Sequence, residues 1–248
     1  MNNTLEFEGK VAFITGGAGG IAGAVSELLL SLGAHVFLTD VDDNALEQAL
    51  IRHDRSARVH SAVADITDSS DIDRVLNLCH RTLGGLDIVV NAAGIFPEQA
   101  VAGMTDDQWR RVHSINLDGT FFVCRSAAGL LRDKGSIVNI TSIAGHRGSV
   151  RHAHYASSKA GVLGFSRSLA QELAPRIRVN CVSPGPVDTP MIRELWNEGA
   201  SKILAATPLR RICTPEEVAK SVAFLASDWA SFITAETLHI NGGHYIYG

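Results

Sequence analysis

The amino-acid sequence predicts a single α/β domain, with a doubly wound sheet of seven mostly parallel strands flanked by helices. Short apolar runs alternate with longer stretches of helical periodicity from residue 10 to residue 240, which is the pattern of βαβ units. The runs, such as VAFIT and DIVVN, are continuously apolar, as in parallel strands that helices cover on both faces. No repeat or linker divides the 248 residues, so we expect residues 1–248 to form one domain.

Each element carries its own signal. The β-branched and apolar runs predict strands at residues 11–15, 35–39, 59–63, 88–91, 137–141, 178–182 and 237–240. Two capping boxes and an early proline predict helix starts: Thr105 with Gln108, and Thr214 with Glu217 around Pro215. Residues 183–208 hold four prolines and interrupt the alternation. We interpret this segment as a substrate lid, because ligands of such folds bind beyond the carboxyl ends of the strands.

Composition argues against several classes of protein. Twenty-two basic and twenty-six acidic residues give a net charge of −4, which does not suit a nucleic-acid-binding face. The least charged stretch, residues 11–26, is broken by five glycines and is shorter than the roughly 20 apolar residues of a membrane span. The first ten residues lack a signal-peptide pattern. Four cysteines without a CxxC pair favour free thiols over disulfides or zinc. We therefore expect a cytoplasmic protein without nucleic-acid, membrane or metal partners.

A glycine-rich turn, TGGAGGIAG from Thr15 to Gly23, follows the first predicted strand and leads into an apolar helical run. In this context Gly16 and Gly20 allow the backbone to approach a pyrophosphate, although an ordinary βα turn has similar glycines. Asp40 ends the second predicted strand, where an acid accepts hydrogen bonds from the adenosine ribose and repels a 2′-phosphate. The alternatives for Asp40 are a loop carboxylate or a helix cap. Since the turn has no Lys or Arg, a Rossmann-type site for NAD is favoured over one for NADP.

Tyr155 and Lys159 form the candidate catalytic pair. Their spacing puts both side chains on one face of a predicted helix that runs to about residue 173. An unperturbed tyrosine has a pKa of about 10, so catalysis near neutral pH needs a cation that lowers this pKa. Lys159 and the positive charge of an oxidised nicotinamide would together provide it. Taken alone, however, a Tyr and a Lys at this spacing are commonly a surface pair.

Six motifs carry a family resemblance: the glycine turn, NAAG at 91–94, Asn116 in INLDG, Ser142 in NITSIAG, YASSK at 155–159, and SPG at 183–185. In order and spacing they resemble the short-chain dehydrogenase/reductases over residues 9–243. The closing stretch, VAFLASDWASFITAETLHINGG, is similar to the 3-oxoacyl-(acyl-carrier-protein) reductase branch. Two features depart from that branch. Ala22 replaces the third glycine of the turn, and Ala18 and Gly19 stand where such reductases usually read NADPH with a basic residue.

The resemblance implies a role for each matching residue. It makes Tyr155 the general acid or base, Lys159 the group that lowers its pKa and holds the nicotinamide ribose, and Ser142 a hydrogen-bond partner of the substrate oxygen. Asn116 is implied to bend its helix and to anchor a water that leads to Lys159. Tyr155 and Lys159 also count among the implied cofactor-binding residues, and the others are Gly16, Gly20, Ile21, Asp40, Asp65, Ile66, Asn91, Ala92, Gly94, Pro184, Gly185, Val187 and Thr189. Helix caps or turns are the alternatives for Ser142, Asp65, Asn91 and Thr189.

The segment between Ser142 and Tyr155, IAGHRGSVRHAH, is rich in imidazole and guanidinium groups. Such groups suit an anionic or polyhydroxylated substrate, and the alternatives are a solvated loop or a subunit contact. His152 is the first candidate for substrate binding, because the position three before the tyrosine commonly faces the substrate in the family that the chain resembles. Ala144 and Pro186 are the other candidates. Four residues of the predicted lid recur at helical spacing, as on an apolar lid face or in core packing: Met191, Ile192, Leu195 and Trp196.

Together these observations predict an NAD(P)-dependent oxidoreductase, with NAD preferred, that interconverts a secondary alcohol and a ketone in a sugar, polyol or similar small molecule. One alternative is a 3-oxoacyl-(acyl-carrier-protein) reductase acting on acyl thioesters, which would have acyl carrier protein as a partner. Another is a non-catalytic dinucleotide-binding regulatory protein. The regulatory protein would not need Asn116, Ser142, Tyr155 and Lys159 together, so the intact tetrad favours an enzyme. The resemblance also implies a homotetramer that pairs helices near residues 117–131 and 156–172.

Overall fold

Seven parallel strands form one sheet, which confirms the predicted fold class. The computed structural model describes residues 5–53, 56–191 and 201–246. The strands have the order β3-β2-β1-β4-β5-β6-β7, and every neighbouring pair is parallel. Their bounds are β1 Val11–Thr15, β2 His35–Asp40, β3 Val59–Val63, β4 Leu86–Asn91, β5 Leu131–Ile140, β6 Ile177–Pro184 and β7 Thr237–Ile240.

Strand β5 is longer than the predicted 137–141 and ends one residue earlier. Leu131 pairs with Leu86 of β4, and Gly135 pairs with Ile177 of β6, so the sheet extends well before residue 137. Between these pairs lie three exposed polar residues, 132–134, which interrupt the apolar run. The periodicity of the sequence therefore showed only the buried half of the strand.

The described helices cover both faces of the sheet. They are α1 Gly20–Ser31, α2 Asp43–Arg52, α3 Ser69–Leu83, α4 Asp106–His113, α5 Gly119–Ala128, α6 Ala144–Arg147, α7 Ala153–Leu173 and α8 Pro215–Ala226. Both predicted capping boxes are present, at Thr105 before α4 and at Thr214 before α8, where Pro215 is the first helical residue. Among the described residues, no helix has both the length and the apolar character that crossing a membrane requires.

Two apolar layers form the core. On one face of the sheet, α1 packs over β1 and β2 and α8 packs over β5, β6 and β7, with Ile14, Leu29 and Val222 fully buried. On the other face, α3 packs over β1 and β4, α5 over β4 and β5, and α7 over β6, while Phe13 of β1 and Phe37 of β2 stack with ring centroids 5.8 Å apart. Because both faces are covered, the strands read as continuous apolar runs.

The strand order reverses between β1 and β4, and this point positions the site. The carboxyl ends of both strands open on the same edge, where ligands of doubly wound folds bind. Thr15 Oγ1 accepts hydrogen bonds from the amides of Ala92 and Ala93, both at 3.2 Å, and so ties the two ends together. The predicted lid is described only up to Met191 and again from residue 201, where residues 201–206 are helical. Ile192, Leu195 and Trp196 lie outside the described residues.

Candidate active site

The glycine turn comes close to the loop after β4. Gly16 has a φ of +66°, and a Cβ atom at this position would lie 2.8 Å from the Cα of Ala93. A Cβ at Gly20 would lie 3.0 Å from Thr189 Cγ2, so the start of α1 packs directly against the residues that follow β6. Ile21, the next residue of α1, packs on the core. The turn is therefore shaped by contacts that only glycine permits.

A cleft of about 610 Å³, which we name the glycine-turn cleft, lies beyond the ends of β1, β2 and β4. Six predicted cofactor-binding residues line it: Gly16, Asp40, Asp65, Ile66, Ala92 and Gly94. The Asp40 carboxylate accepts hydrogen bonds from the amides of Ala18 at 3.2 Å and Val41 at 2.8 Å. Asp65 accepts from the amide and hydroxyl of Thr67, while the cap of α3 is Asp68. Both carboxylates thus combine local hydrogen bonds with a position in the cleft wall.

The Asn91 side chain differs from the prediction that it lines the cleft. It is buried between β4 and β5, where Nδ2 donates to Asn139 Oδ1 at 2.8 Å and lies 3.3 Å from Cys124 Sγ. The alternation of side chains along β4 puts Asn91 on the face of the sheet that α5 covers, so Ala92 and Gly94 form the wall instead. This asparagine connects neighbouring strands.

The segment after β6 is buried against the start of α1. Pro184 ends β6, and its carbonyl accepts a hydrogen bond from the amide of Ile143 at 3.1 Å. Val187 and Thr189 are both buried, and Thr189 Oγ1 donates to the Val187 carbonyl at 3.4 Å. Gly185 packs against Asn241 and also reaches a second cavity, described next.

A cavity of about 320 Å³, which we name the Tyr155 cavity, opens beside Ser142 and Tyr155. Ala144, His152 and Pro186, the three predicted substrate residues, all line it. Tyr155 itself is half-buried. Burial raises the pKa of Tyr155, and a hydrogen bond with Ser142 acts in the opposite direction. The two side chains meet in one place, as the family resemblance implies.

Lys159 lies one turn further along α7 and is buried. Its Nζ donates to the Ile140 carbonyl at 2.8 Å and lies 5.8 Å from the ring centroid of Tyr155. Burial lowers the pKa of Lys159 to about 8. Among the influences of the protein groups on Tyr155, desolvation of the phenol is the largest and raises its pKa.

Asn116 occupies a π-helical segment, Ser114–Asp118, between α4 and α5. This distortion agrees with the bend that the resemblance implies. The Asn116 side chain accepts from the Ile95 amide at 2.9 Å and donates to the Ile95 carbonyl at 3.0 Å and to Ser158 Oγ at 3.2 Å. Asn116 therefore joins the loop after β4 to α7, the helix that carries Tyr155 and Lys159.

The His/Arg-rich segment divides among several environments. His152 and Arg147 line the Tyr155 cavity, whereas Arg151 pairs with Glu98. His146 packs with His239 and Tyr245, and His154 lines a neighbouring side cavity of about 510 Å³. Within residues 5–53, 56–191 and 201–246, no three His, Cys, Asp or Glu side chains cluster as metal ligands would.

Two residues of the site, Phe96 and Arg111, were missed by sequence reasoning, and a third, Met191, was predicted only for an apolar lid face or core packing. Phe96 stacks on His152 with ring centroids 3.9 Å apart and meets Tyr155 edge-on at 4.5 Å. Arg111 of α4 lines the glycine-turn cleft, although the glycine turn itself has no basic residue. Met191 reaches the cleft and both cavities. The aromatic residue two positions after NAAG was a usable signal for Phe96, while no local pattern marks Arg111.

Comparisons with known proteins agree with this geometry. A family model described as enoyl-(acyl carrier protein) reductase matches residues 16–245. The 3-oxoacyl-(acyl-carrier-protein) reductase of Salmonella typhimurium is 40% identical over 98% of this chain and 100% of its own length. The corresponding reductase of Escherichia coli K12 is 39% identical over the same shares.

Solved structures match equally well. A Brucella melitensis protein titled short-chain dehydrogenase/reductase SDR:glucose/ribitol dehydrogenase has a TM-score of 0.95 at 39% identity, covering 98% of this chain and 99% of its own. The aldohexose dehydrogenase of Thermoplasma acidophilum has a TM-score of 0.88 at 30% identity, with 98% and 96% covered.

Proposed function

This chain belongs to the short-chain dehydrogenase/reductase family of oxidoreductases, and on that premise we propose that it interconverts a secondary alcohol and a ketone at Tyr155. The observation that carries the proposal is the meeting of Ser142 and Tyr155 in one cavity, with Lys159 next along α7 and Asn116 joining that helix to the cleft. A non-catalytic binding protein would need the cleft but not this arrangement.

The family uses a nicotinamide dinucleotide, and the glycine-turn cleft fits one. Gly16, with a φ of +66° and no Cβ to clash with Ala93, lets the turn form one wall of the cleft, and Asp40 and Asp65 also line it. The residues that would hold the dinucleotide are Gly16, Gly20, Asp40, Asp65, Ile66, Ala92, Gly94, Lys159 and Thr189. When bound, the nicotinamide supplies or takes up the hydride.

Proton transfer is the task of the side chains. In the reducing direction Tyr155 donates its phenolic proton to the carbonyl oxygen, and in the oxidising direction it accepts the hydroxyl proton. Ser142 hydrogen-bonds the same oxygen, where negative charge develops during reduction. Since burial raises the pKa of Tyr155, the phenol is protonated at neutral pH and ready to act as the acid. Lys159, with a pKa of about 8, carries a positive charge there that favours the phenolate formed afterwards.

Two substrate classes follow from different observations. The names of the curated relatives favour 3-oxoacyl thioesters over the small alcohol that the sequence predicted, and with them acyl carrier protein as a partner. The second class, small polyhydroxylated molecules, is favoured by the polar side chains of Arg147 and His152 in the Tyr155 cavity, and two structural relatives are titled sugar dehydrogenases.

NAD is the proposed dinucleotide, and Asp40 supports this choice over NADP. Its carboxylate lies in the cleft wall at the end of β2, where it would repel a 2′-phosphate. Arg111 is the basic residue among the side chains that line this cleft, and it comes from α4 rather than from the glycine turn. We also propose a cytoplasmic homotetramer. The free thiols of Cys79, Cys124, Cys181 and Cys213 suit a reducing compartment.

A spectrophotometric assay of reduced dinucleotide tests the proposed chemistry. The assay offers NAD or NADP with 3-hydroxyacyl thioesters, polyols, sugars and hydroxy acids. We expect Tyr155→Phe to lose about 10²–10⁴-fold in kcat, the usual contribution of a general acid, while dinucleotide binding is retained. Tyr245→Phe, which alters a tyrosine outside the Tyr155 cavity, is the matched control. Undiminished turnover by Tyr155→Phe would contradict the mechanism.

A further inference from the structure

The His152 ring is held in one orientation at the wall of the Tyr155 cavity. The residue is only 7% exposed, and its ring lies parallel to Phe96 within 4°. Its Nδ1 lies 2.7 Å from the Val150 carbonyl oxygen and 3.3 Å from Ser149 Oγ. Because Phe96 also contacts Tyr155, the imidazole and the phenol are fixed against the same aromatic ring.

The contact with Val150 determines which nitrogen carries the proton. A carbonyl oxygen only accepts hydrogen bonds, so Nδ1 of His152 must be the donor. In a neutral imidazole the other nitrogen then has a lone pair and acts as an acceptor. This atom, Nε2, is buried and has no hydrogen-bond partner among the residues that the structure describes. Buried polar atoms in proteins nearly always have a hydrogen-bond partner. Because His152 lines the Tyr155 cavity, we infer that a ligand bound in this cavity is the partner of Nε2.

Building on the alcohol/ketone chemistry proposed above, we propose that His152 Nε2 accepts a hydrogen bond from a second substrate hydroxyl, carried on the carbon next to the one that reacts at Tyr155. The substrate class is then a vicinal diol, as found in polyols and sugars. The acyl group of a 3-oxoacyl thioester, the part that reacts at Tyr155, presents only carbonyl oxygens, which are acceptors like Nε2 and cannot satisfy it. Sites built to bind a hydroxyl discriminate strongly against analogues that lack it, because their own polar atoms remain unpaired.

Two alcohols that differ by one hydroxyl group test this proposal independently of the alcohol/ketone chemistry at Tyr155. Oxidation of 2,3-butanediol and of 2-butanol is measured with the wild type, with His152→Phe, whose ring still stacks on Phe96, and with Arg151→Asn as a control from the same loop. We expect the wild type and the control to favour the diol at least tenfold in kcat/KM, and His152→Phe to lose that preference. Equal use of both alcohols by the wild type, or a preference that survives in His152→Phe, would overturn the proposal while leaving the alcohol/ketone chemistry intact.

Nitrogen-15 NMR of labelled imidazole groups gives a readout that does not need turnover. The His152 signals, identified by their absence in His152→Phe, should have the Nδ1–H tautomer, and the Nε2 signal should shift when 2,3-butanediol is added with the dinucleotide. An Nε2–H tautomer or an imidazolium at the assay pH would refute the acceptor role. If neither alcohols nor thioesters react with either dinucleotide, the proposed function fails, and the NMR titration still decides whether His152 binds a diol.

Discussion

Asp40 stands at the end of β2, and its carboxylate accepts hydrogen bonds from the backbone amides of Ala18 and Val41. Replacement by alanine removes both the negative charge and a hydrogen-bond acceptor from the wall of the glycine-turn cleft. We expect Asp40→Ala to lower kcat/KM with NAD roughly tenfold or more, since a hydrogen bond to a charged group contributes about 1.5–3 kcal/mol. Activity with NADP should rise relative to NAD, because repulsion of the 2′-phosphate is relieved.

Asp43→Asn is the matched control for Asp40→Ala. It removes one negative charge from the first turn of α2, at a residue that does not line the cleft. In steady-state kinetics, Asp43→Asn should have the same ratio of kcat/KM with NAD to kcat/KM with NADP as the wild type. An unaltered ratio in Asp40→Ala as well would show that another group, with Arg111 the first candidate, governs the choice.

Replacing Gly16 or Gly23 with alanine should change the stability of the protein in opposite directions. In Gly16→Ala the new Cβ meets the Ala93 backbone at 2.8 Å, and the φ of +66° is strained for alanine. We expect a loss of about 2–4 kcal/mol in the free energy of unfolding, from the backbone conformation and the forced repacking together. In Gly23→Ala nothing lies within 4 Å of the new Cβ inside α1. The higher helix propensity of alanine should therefore raise the free energy of unfolding by about 0.5–1 kcal/mol.

Urea unfolding followed by circular dichroism measures both glycine variants. Titration with the dinucleotide should also show weaker binding for Gly16→Ala alone. Equal stabilities for the two variants would mean that the close approach at Gly16 relaxes without cost.

Helices α5 and α7 present an aromatic face that suits the proposed tetramer. Phe121 is exposed, meets Phe165 of α7 edge-on at 5.9 Å, and lies 5.2 Å below the Arg125 guanidinium. We expect Phe121→Glu to break the assembly into smaller species, since a buried charge at a helix pair is strongly unfavourable. Sedimentation equilibrium should give four times the chain mass of 26.5 kDa for the wild type. Ile51→Glu, an exposed position on α2, should keep that mass.

Helices and strands that carry a local sequence signal were predicted closely. The capping boxes at Thr105 and Thr214 depend on residues three apart, so their presence was readable without tertiary information. The π-helical segment around Asn116 has no such signal, because its geometry is tied to hydrogen bonds with Ile95 in the loop after β4. The polar half of β5 was missed for the same reason, since pairing with β4 and β6 holds it in the sheet.

The histidines as a group predict how stability depends on pH. Burial is the first cause that lowers the pKa of five of them below the ordinary value of 6.5: His53, His146, His154, His239 and His244. The unfolded chain therefore binds more protons than the folded chain just below pH 6.5, so the free energy of unfolding falls as the pH is lowered through that value. Their contribution is fully present above pH 6.5.

Urea unfolding at pH 7.5, 6.5 and 5.5 tests this expectation. Carboxylates with a lowered pKa, such as Glu217 at about 2, act in the same sense, but only below their ordinary value of 4.5. The interval between pH 6.5 and 5.5 therefore reports the imidazoles. A constant or rising stability across that interval would contradict the prediction, and His244→Gln should reduce the slope.

The sequence by itself determined the parallel α/β fold, the glycine turn and the helix caps, because each rests on residues close together in the chain. The proposed tetrad of Asn116, Ser142, Tyr155 and Lys159 came from the family resemblance of its motifs. Only the tertiary structure decided which side chains share a wall. It placed Asn91 against Cys124 of α5, brought Arg111 to the cleft, and stacked Phe96 on His152. It also set the direction of the Tyr155 pKa, since desolvation depends on every element packed around the phenol. Burial and contact between distant residues have no local signature, and the chemistry of the site depends on both.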